Sequence, residues 1–181
     1  GLTADAQCQG CSAGKWSDQT GLTADVQCTL CVAGKYSAAG QGQTSIDVCD
    51  KLCSAGKWSN QTGLAADQCT QCERGRSTNN SVGQTECQIC PDGAYAQQAG
   101  QAACDLCLAG MFLAGADPDE PKATEHNHLN DCEVCSGPFE YQDLVGQGDC
   151  KACPNSTETK GVRPTDNDNV NDCQEVPGEP F

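Results

Sequence analysis

The chain is 181 residues long, holds 17 cysteines and carries a formal net charge of −15. Leu, Ile, Val and Phe together number only 24, too few for one ordinary core, and this poverty combined with the charge is otherwise typical of disorder. The acidic excess argues against a nucleic acid as partner, and no apolar run of 18 residues is present to span a membrane.

The cysteines come in closely spaced pairs along the whole chain. The first member of each pair recurs every 17 to 28 residues, which is typical of a tandem repeat. All pairs but one have two residues between the cysteines. The pairs are Cys8/Cys11, Cys28/Cys31, Cys49/Cys53, Cys69/Cys72, Cys87/Cys90, Cys104/Cys107, Cys132/Cys135 and Cys150/Cys153, and Cys173 stands alone.

A short phrase follows the second cysteine of the early pairs. Cys11-Ser-Ala-Gly-Lys-Trp-Ser returns almost unchanged after Cys31 and Cys53, and weaker copies follow Cys90 and Cys107. Because glycine adopts positive φ without cost, the phrase predicts a tight turn. We expect the aromatic residue of the phrase to pack on the disulfide of its own module.

The repeat predicts a small disulfide-rich, tandem-repeat rod, built mostly of turns and short β-hairpins with little helix. Residues 1–7 nearly repeat 21–27, so we expect the sequence to open inside a module. Residues 1–10 are then the end of a truncated module, and 174–181 a linker or the start of a further element. The complete modules are 11–30, 31–52, 53–71, 72–89, 90–106, 107–134 (with a long loop), 135–152 and 153–173.

The spacing favours disulfides that run from the second cysteine of one pair to the first cysteine of the next, since these staple loops of useful length. Bonding within each C-x-x-C is the alternative. The favoured scheme leaves Cys8 for a partner before Gly1. The predicted bonds are Cys11–Cys28, Cys31–Cys49, Cys53–Cys69, Cys72–Cys87, Cys90–Cys104, Cys107–Cys132, Cys135–Cys150 and Cys153–Cys173.

The pattern of Cys-x-x-Gly-Lys-Tyr/Trp-Ser, a loop and Cys-x-x-Cys resembles the ephrin-receptor-like cysteine-rich repeats over residues 8–112. It is also similar to the first half-module of the tumour-necrosis-factor-receptor repeats, in which one disulfide closes the loop that carries the glycine and the aromatic. The resemblance implies a secreted or cell-surface scaffold without catalytic residues. Long arrays of this kind resemble surface and filament proteins of algae and other protists.

Two other readings of the cysteines are open. The C-x-x-C spacing approaches that of zinc ribbons, although 17 cysteines in an unbroken series of pairs do not divide into sets of four ligands. A thioredoxin-like redox role would require a βαβ pattern around one of the pairs, and the sequence does not predict one.

Several polar residues are candidate sites. Three sequons, at Asn60, Asn79 and Asn155, predict N-linked glycans on exposed loops. Asp166, Asp168 and Asp172 are weak candidates for Ca²⁺, with a solvated acidic turn as the alternative and no other cofactor or metal expected. His126 and His128 would share one face of an extended segment, and we expect an exposed pair.

Two functions fit the sequence, and neither is enzymatic. The first is an extracellular structural repeat, a glycosylated stiff spacer or a building block of a filament or cell-surface appendage such as a flagellar hair, with copies of itself or other chains as partners. The near-identical modules favour it. The alternative is the ectodomain of a receptor that binds a protein ligand, for which only residues 108–131 look diversified.

Overall fold

The computed structural model describes residues 10–115, 123–154, 157–159 and 163–174. Within them, two-residue strands pair into seven antiparallel hairpins and helix is limited to three-residue 3-10 turns. The expected fold class, a small disulfide-rich repeat fold of turns and short hairpins, is confirmed. The strands are β1 Lys15–Trp16, β2 Thr29–Leu30, β3 Lys35–Tyr36, β4 Lys51–Leu52, β5 Lys57–Trp58, β6 Thr70–Gln71, β7 Arg76–Ser77, β8 Gln88–Ile89, β9 Ala94–Tyr95, β10 Asp105–Leu106, β11 Met111–Phe112, β12 Glu133–Val134, β13 Glu140–Tyr141 and β14 Lys151–Ala152.

Each hairpin joins the two ends of one module. In β3 and β4, Lys35 pairs with Leu52 and Tyr36 with Lys51. Strand β3 follows the glycine of the repeated phrase, and β4 lies in the spacer between Cys49 and Cys53. The spacer residues of the cysteine pairs therefore form strands, because the antiparallel ladder needs a partner for the aromatic segment.

The repeated glycine closes the turn that starts each hairpin. In module 31–52 the Lys35 N–H donates to the Val32 carbonyl at 3.2 Å, and Gly34 has a φ of +76°. A turn of this kind requires positive φ at its third residue, which favours glycine. The Gly34 carbonyl then accepts the Cys53 N–H at 2.9 Å, so the turn also anchors the first cysteine of the next module.

Eight disulfides close the modules. Their Cα–Cα distances lie between 5.5 and 5.8 Å, within the range for an unforced bond. Cys8 lies outside the described residues. The structure brings together Cys11–Cys28, Cys31–Cys49, Cys53–Cys69, Cys72–Cys87, Cys90–Cys104, Cys107–Cys132, Cys135–Cys150 and Cys153–Cys173.

A 3-10 turn precedes the cysteine that closes the loop in several modules. Modules 107–134 and 153–173 each have two of them, separated by the same polar pattern. No helix among the described residues is long and apolar enough to cross a membrane. The turns are Asp25–Gln27, Ile46–Val48, Ala123–Glu125, Leu129–Asp131, Pro164–Asp166 and Val170–Asp172.

The described residues divide into two compact units, one of residues 10–72 with 78–87 and the other of residues 73–77 with 88–174. In the second unit Cys107, Leu113 and Cys132 form a buried cluster, and Tyr95 packs against it. Tyr95 belongs to the preceding module, so the expectation that each aromatic covers its own disulfide is wrong here. Burial raises the pKa of the Tyr95 hydroxyl, and the nearby Asp105 adds to the effect.

Candidate functional site: the repeating interface between modules

One repeat position is buried in every described module. It is the sixth residue after the second cysteine, displaced by one residue in module 135–152. Burial at this position does not depend on an apolar side chain, since most of its occupants are polar. The residues are Ser17, Ser37, Ser59, Thr78, Ala96, Leu113, Gln142 and Thr159.

Ser37 shows how a polar residue is accommodated there. Its side chain is fully buried, and its Oγ accepts the Ala39 N–H at 3.2 Å. Its backbone N–H donates at 3.0 Å to the carbonyl of Leu64, which belongs to the next module. The hydroxyl therefore forms its hydrogen bond within its own loop, and the backbone N–H forms the bond to the next module.

The same backbone bond links other modules in register. It always runs from the buried position of one module to the second half of the next. The further pairs, donor first, are Ser17 and Gln43, Ser59 and Gln84, Ala96 and His126, Leu113 and Gln147, and Gln142 and Asn167.

Two more backbone bonds complete the interface. The Gly34 N–H donates at 2.9 Å to the carbonyl of Ser59, and the Gly63 N–H donates at 2.8 Å to the carbonyl of Cys31. The first bond recurs between Gly75 and Ala96, Gly93 and Leu113, and Gly110 and Gln142. The second recurs from Gly42 to Cys11, Gly83 to Cys53 and Gly146 to Cys107.

The repeated glycine also touches the module after next. A Cβ built on Gly34 would lie 2.1 Å from the carbonyl oxygen of Gly83, far inside van der Waals contact. Gly14 approaches Gly63 and Gly93 approaches Gly146 in the same way, each within its own unit. A larger side chain would therefore separate modules that are two steps apart.

A lysine–aspartate pair closes the loop of two modules. The Lys15 ammonium contacts the Asp25 carboxylate, and the Ser12 N–H donates to Asp25 Oδ1 at 2.7 Å. The hydrogen bond from Lys15, followed by the one from the Ser12 backbone, lowers the pKa of Asp25 to about 2. Lys57 and Asp67 repeat the pair at 3.1 Å, and the pKa of Asp67 is also lowered.

Replacing Lys15 by methionine is expected to raise the Asp25 pKa toward its ordinary value. In the native protein the folded-state pKa lies below the unfolded one, so this pair stabilises the module above about pH 4 and loses that effect as the pH falls toward 2. NMR titration of the Asp25 carboxyl checks the shift. Lys35→Met, at the same repeat position in a module with Ser45 in place of the aspartate, should leave Asp25 unchanged.

Two of the three predicted glycan sites lie on exposed segments, Asn60 in a loop and Asn79 in a turn. Asn60 and Asn79 are exposed, and Asn155 lies outside the described residues. Asn79 and Asn80 both have positive φ, and the Ser81 N–H donates to the Thr78 carbonyl at 2.9 Å. This geometry is a type I′ turn, which favours asparagine and directs the segment outward.

The predicted Ca²⁺ ligands bind backbone amides in the structure. Asp166 accepts the Arg163 N–H at 3.2 Å, and Asp172 accepts the Asn169 N–H at 2.9 Å. Among the described residues, no group of three or more carboxylate, cysteine or histidine side chains is arranged to hold a metal ion. Ca²⁺ binding that involves Asp168 or its neighbours stays a prediction, and calorimetric titration tests it.

His126 and His128 take different roles. His126 is only 1% exposed, and its Nδ1 lies 2.9 Å from the Ala94 carbonyl oxygen, so the expectation of an exposed pair is wrong for this residue. His128 is half-buried and caps the next 3-10 turn by accepting the Asn130 N–H at 3.0 Å. Asn167 and Asn169 play the same two parts in module 153–173.

The long-loop module holds a groove of about 500 Å³. The segment from Phe112 to Gly115 forms one side, and residues from the two 3-10 turns and β12 form the other. Glu125 and Glu133 are exposed along it, while Leu113 is buried beneath it. The loop between the cysteines is longest here, with a sequence separation of 25 residues.

Sequence analysis did not identify the buried serine, the lysine–aspartate pair or the contact of the repeated glycine with the module after next. A signal for each was present, because Gly, Lys and Ser recur in register with Trp or Tyr in three modules. Asp25 and Asp67 also lie at the same distance after their second cysteines, fourteen residues in both modules. A contact between modules leaves no signal within one copy, so only the recurrence marked these residues.

Comparison with known proteins supports the resemblance seen in the sequence. Residues 78–117 match the family described as tyrosine-protein kinase ephrin type A/B receptor-like. The matched segment includes Cys87, Cys90, Cys104 and Cys107, together with hairpin β9–β10. Comparison of the sequence with curated proteins gives no significant match. Residues 78–117 are thus similar to an ephrin-receptor-like cysteine-rich repeat, and they lie within a tandem series of disulfide-closed modules.

Proposed function

We propose that this protein is an extracellular structural repeat protein, a stiff spacer or a building block of a filament or cell-surface appendage. The observation that supports it is the recurrence of the same backbone bonds from module to module within each unit. A repeat whose interface uses mainly backbone groups tolerates loop variation and can be extended by adding copies. Its partners are copies of itself or other chains of the same assembly.

An extracellular location is part of the proposal. Eight disulfides in a chain this poor in apolar residues require an oxidising compartment, because cytosolic reductants would remove the bonds that replace its core. The ephrin-receptor-like match at residues 78–117 points to the same compartment. Treatment of intact cells with an impermeant amine-reactive label tests it, since a surface protein is labelled and an internal one is protected.

Small-angle scattering and negative-stain microscopy of the native material test the structural role. The maximum dimension of a stiff array is proportional to its number of modules. Deleting successive modules from one end should therefore shorten it in nearly equal steps. Ordered filaments in the native material would support the assembly role. A maximum dimension that stays nearly constant as modules are removed would overturn the spacer proposal.

Asn60 and Asn79 are expected to carry N-linked glycans in the secreted protein, since both are exposed. Enzymatic removal of N-glycans should lower the mass of the native protein. Thr62→Ala and Ser81→Ala each remove one sequon without changing the asparagine, and each should abolish one glycan. Gln61→Ala and Asn80→Asp keep both sequons and serve as controls. An unchanged mass after deglycosylation would contradict the prediction.

A binding role is the second candidate, and the groove in module 107–134 favours it. Its Phe112 and Ala114 lie opposite Glu125 and Glu133, so it fits a protein segment that has an apolar and a basic side chain. A binding assay that draws its ligands from the native environment of the protein distinguishes the binding role from the spacer role. Phe112→Ser together with Glu133→Gln would abolish binding by a receptor and leave the scattering dimensions of a spacer unchanged.

A further inference from the structure

The second strand is the more exposed strand of several hairpins, and it often carries an apolar residue. Both residues are exposed in β2, β4, β6 and β10, whereas the first strands of the same hairpins are half-buried or buried. The exposure recurs in both units and in modules with described neighbours on either side, so it belongs to the repeat itself. The apolar residues on these strands or just after them, all between 41% and 58% exposed, are Leu30, Val32, Leu52, Leu106 and Leu108.

The three strand leucines are held in place by glycines of the module after next. A Cβ on each of these glycines would lie between 2.5 and 3.0 Å from a leucine Cδ2, so the leucine packs directly on the bare backbone. This contact orders the leucine before any partner binds, which lowers the entropy lost on association. The pairs, leucine first, are Leu30 and Gly63, Leu52 and Gly83, and Leu106 and Gly146.

One cluster of these residues surrounds a lysine that lacks its usual partner. Leu30 and Val32 lie on either side of a buried cysteine, and Leu52 pairs with Lys35 across hairpin β3–β4. In two other modules the lysine at this position pairs with an aspartate ten residues later, but module 31–52 has Ser45 there. Lys35 therefore forms no ion pair among the described residues. The lysine patch consists of Leu30, Val32, Lys35 and Leu52.

A second cluster, in the other unit, has the opposite charge. Leu106 and Leu108 also lie on either side of a buried cysteine, and the exposed Asp105 precedes them. Ala94 pairs with Leu106 across hairpin β9–β10, in the place that lysine takes in the early modules. Asp105 accepts a hydrogen bond from Gln101 at 2.9 Å, and the described part of the chain offers it no cation. The aspartate patch consists of Asp105, Leu106 and Leu108.

We propose that the lysine patch of one copy of this chain docks on the aspartate patch of a second copy. The apolar residues form the core of the contact, and Lys35 pairs with Asp105 at its rim, which is the usual arrangement of a protein interface. Each patch supplies the charge that the other lacks, so the pairing favours this partner over a second lysine patch or a second aspartate patch.

The proposed contact is heterologous, because it joins two different surfaces of the same chain. A copy that uses its lysine patch still has its aspartate patch free, so further copies can be added in series. This inference rests on the proposed function, since it supplies the contact through which a building block would assemble.

Sedimentation velocity of the full chain at increasing concentration tests the docking. The average mass is expected to rise beyond that of a dimer. Val32→Glu and Leu108→Glu should each weaken the association at least about tenfold, because each places a charge in the apolar core of the contact. Val82→Glu is the matched control, since Val82 is as exposed as these residues but lies outside both patches, and it should leave the association unchanged.

Mixing the Val32→Glu and Leu108→Glu variants tests whether the contact is heterologous. Each variant keeps one intact patch, so the mixture should form dimers that do not grow further. Lys35→Asp and Asp105→Lys should each weaken the association when made alone, and the chain that carries both changes should recover it.

A native chain that stays monomeric at every concentration would overturn the docking, as would association that Val32→Glu leaves unchanged. Growth beyond dimers in the mixture would also overturn it. None of these results alters how the maximum dimension of one chain changes with its number of modules, and that measurement decides the spacer proposal separately.

Discussion

Replacing Gly34 by alanine is expected to lower the free energy of unfolding of the first unit by at least about 4 kcal/mol. The backbone at Gly34 has positive φ, which costs other residues roughly 1 to 2 kcal/mol. The larger part of the loss of stability comes from the new Cβ, which would lie 2.1 Å from the Gly83 carbonyl oxygen. The backbone cannot move away from this contact without losing hydrogen bonds, since bonds to Ser59 and Cys53 hold Gly34 on both sides.

Gly21→Ala is the matched control for this variant. Gly21 has a φ of +75°, close to that of Gly34, but no atom of the described residues outside its chain neighbours lies within 4 Å of the place where its Cβ would be. The difference between the two variants therefore isolates the contact between modules 31–52 and 72–89. Urea unfolding followed by the fluorescence of Trp16 and Trp58 measures both. Equal losses in the two variants would show that the close approach contributes nothing.

Removing the Cys107–Cys132 bond with a double alanine variant is expected to destabilise the second unit by about 3 to 4 kcal/mol through the entropy of the freed loop alone. This bond spans the longest sequence separation, 25 residues. Both of its cysteines are buried with Leu113, so their removal also leaves a space in a small core. We expect the total to be the largest loss from removal of any one disulfide in this unit.

The double alanine variant at Cys153 and Cys173 serves as the control. Its loop has a sequence separation of 20 residues, so the entropic loss is nearly the same, but the buried clusters found among the described residues do not include these two cysteines. Amide exchange at Leu113 and Cys107 reports the effect on the core. Strong loss of protection is expected in the Cys107/Cys132 variant and little in the control, and the reverse order would contradict the role given to the cluster.

Two segments of the chain show what a comparison of the repeats with one another can predict. Residues 124–132 and 165–173 share threonine, an acidic residue, a His/Asn–x–His/Asn pattern, an apolar residue and Asn-Asp-Cys. Taken one at a time, the first segment predicts an exposed histidine pair and the second a weak calcium site. In the structure they are one element, in which His126 or Asn167 is buried and Asp131 or Asp172 caps a 3-10 turn. Alignment of the two segments would have predicted their equivalence, though not which side chain is buried.

The sequence by itself determined the module length, the turn at each repeated glycine and the disulfide-rich repeat class, because these depend on spacing and on backbone preferences within one copy. The roles of Ser37 and of Lys15 with Asp25 were decided by tertiary structure, as was the contact of Gly34 with Gly83. The contacts of Ser37 and Gly34 involve another module, and Lys15 and Asp25 lie in distant parts of one loop. No single copy of the repeat therefore specifies these contacts, although recurrence in register marks the residues.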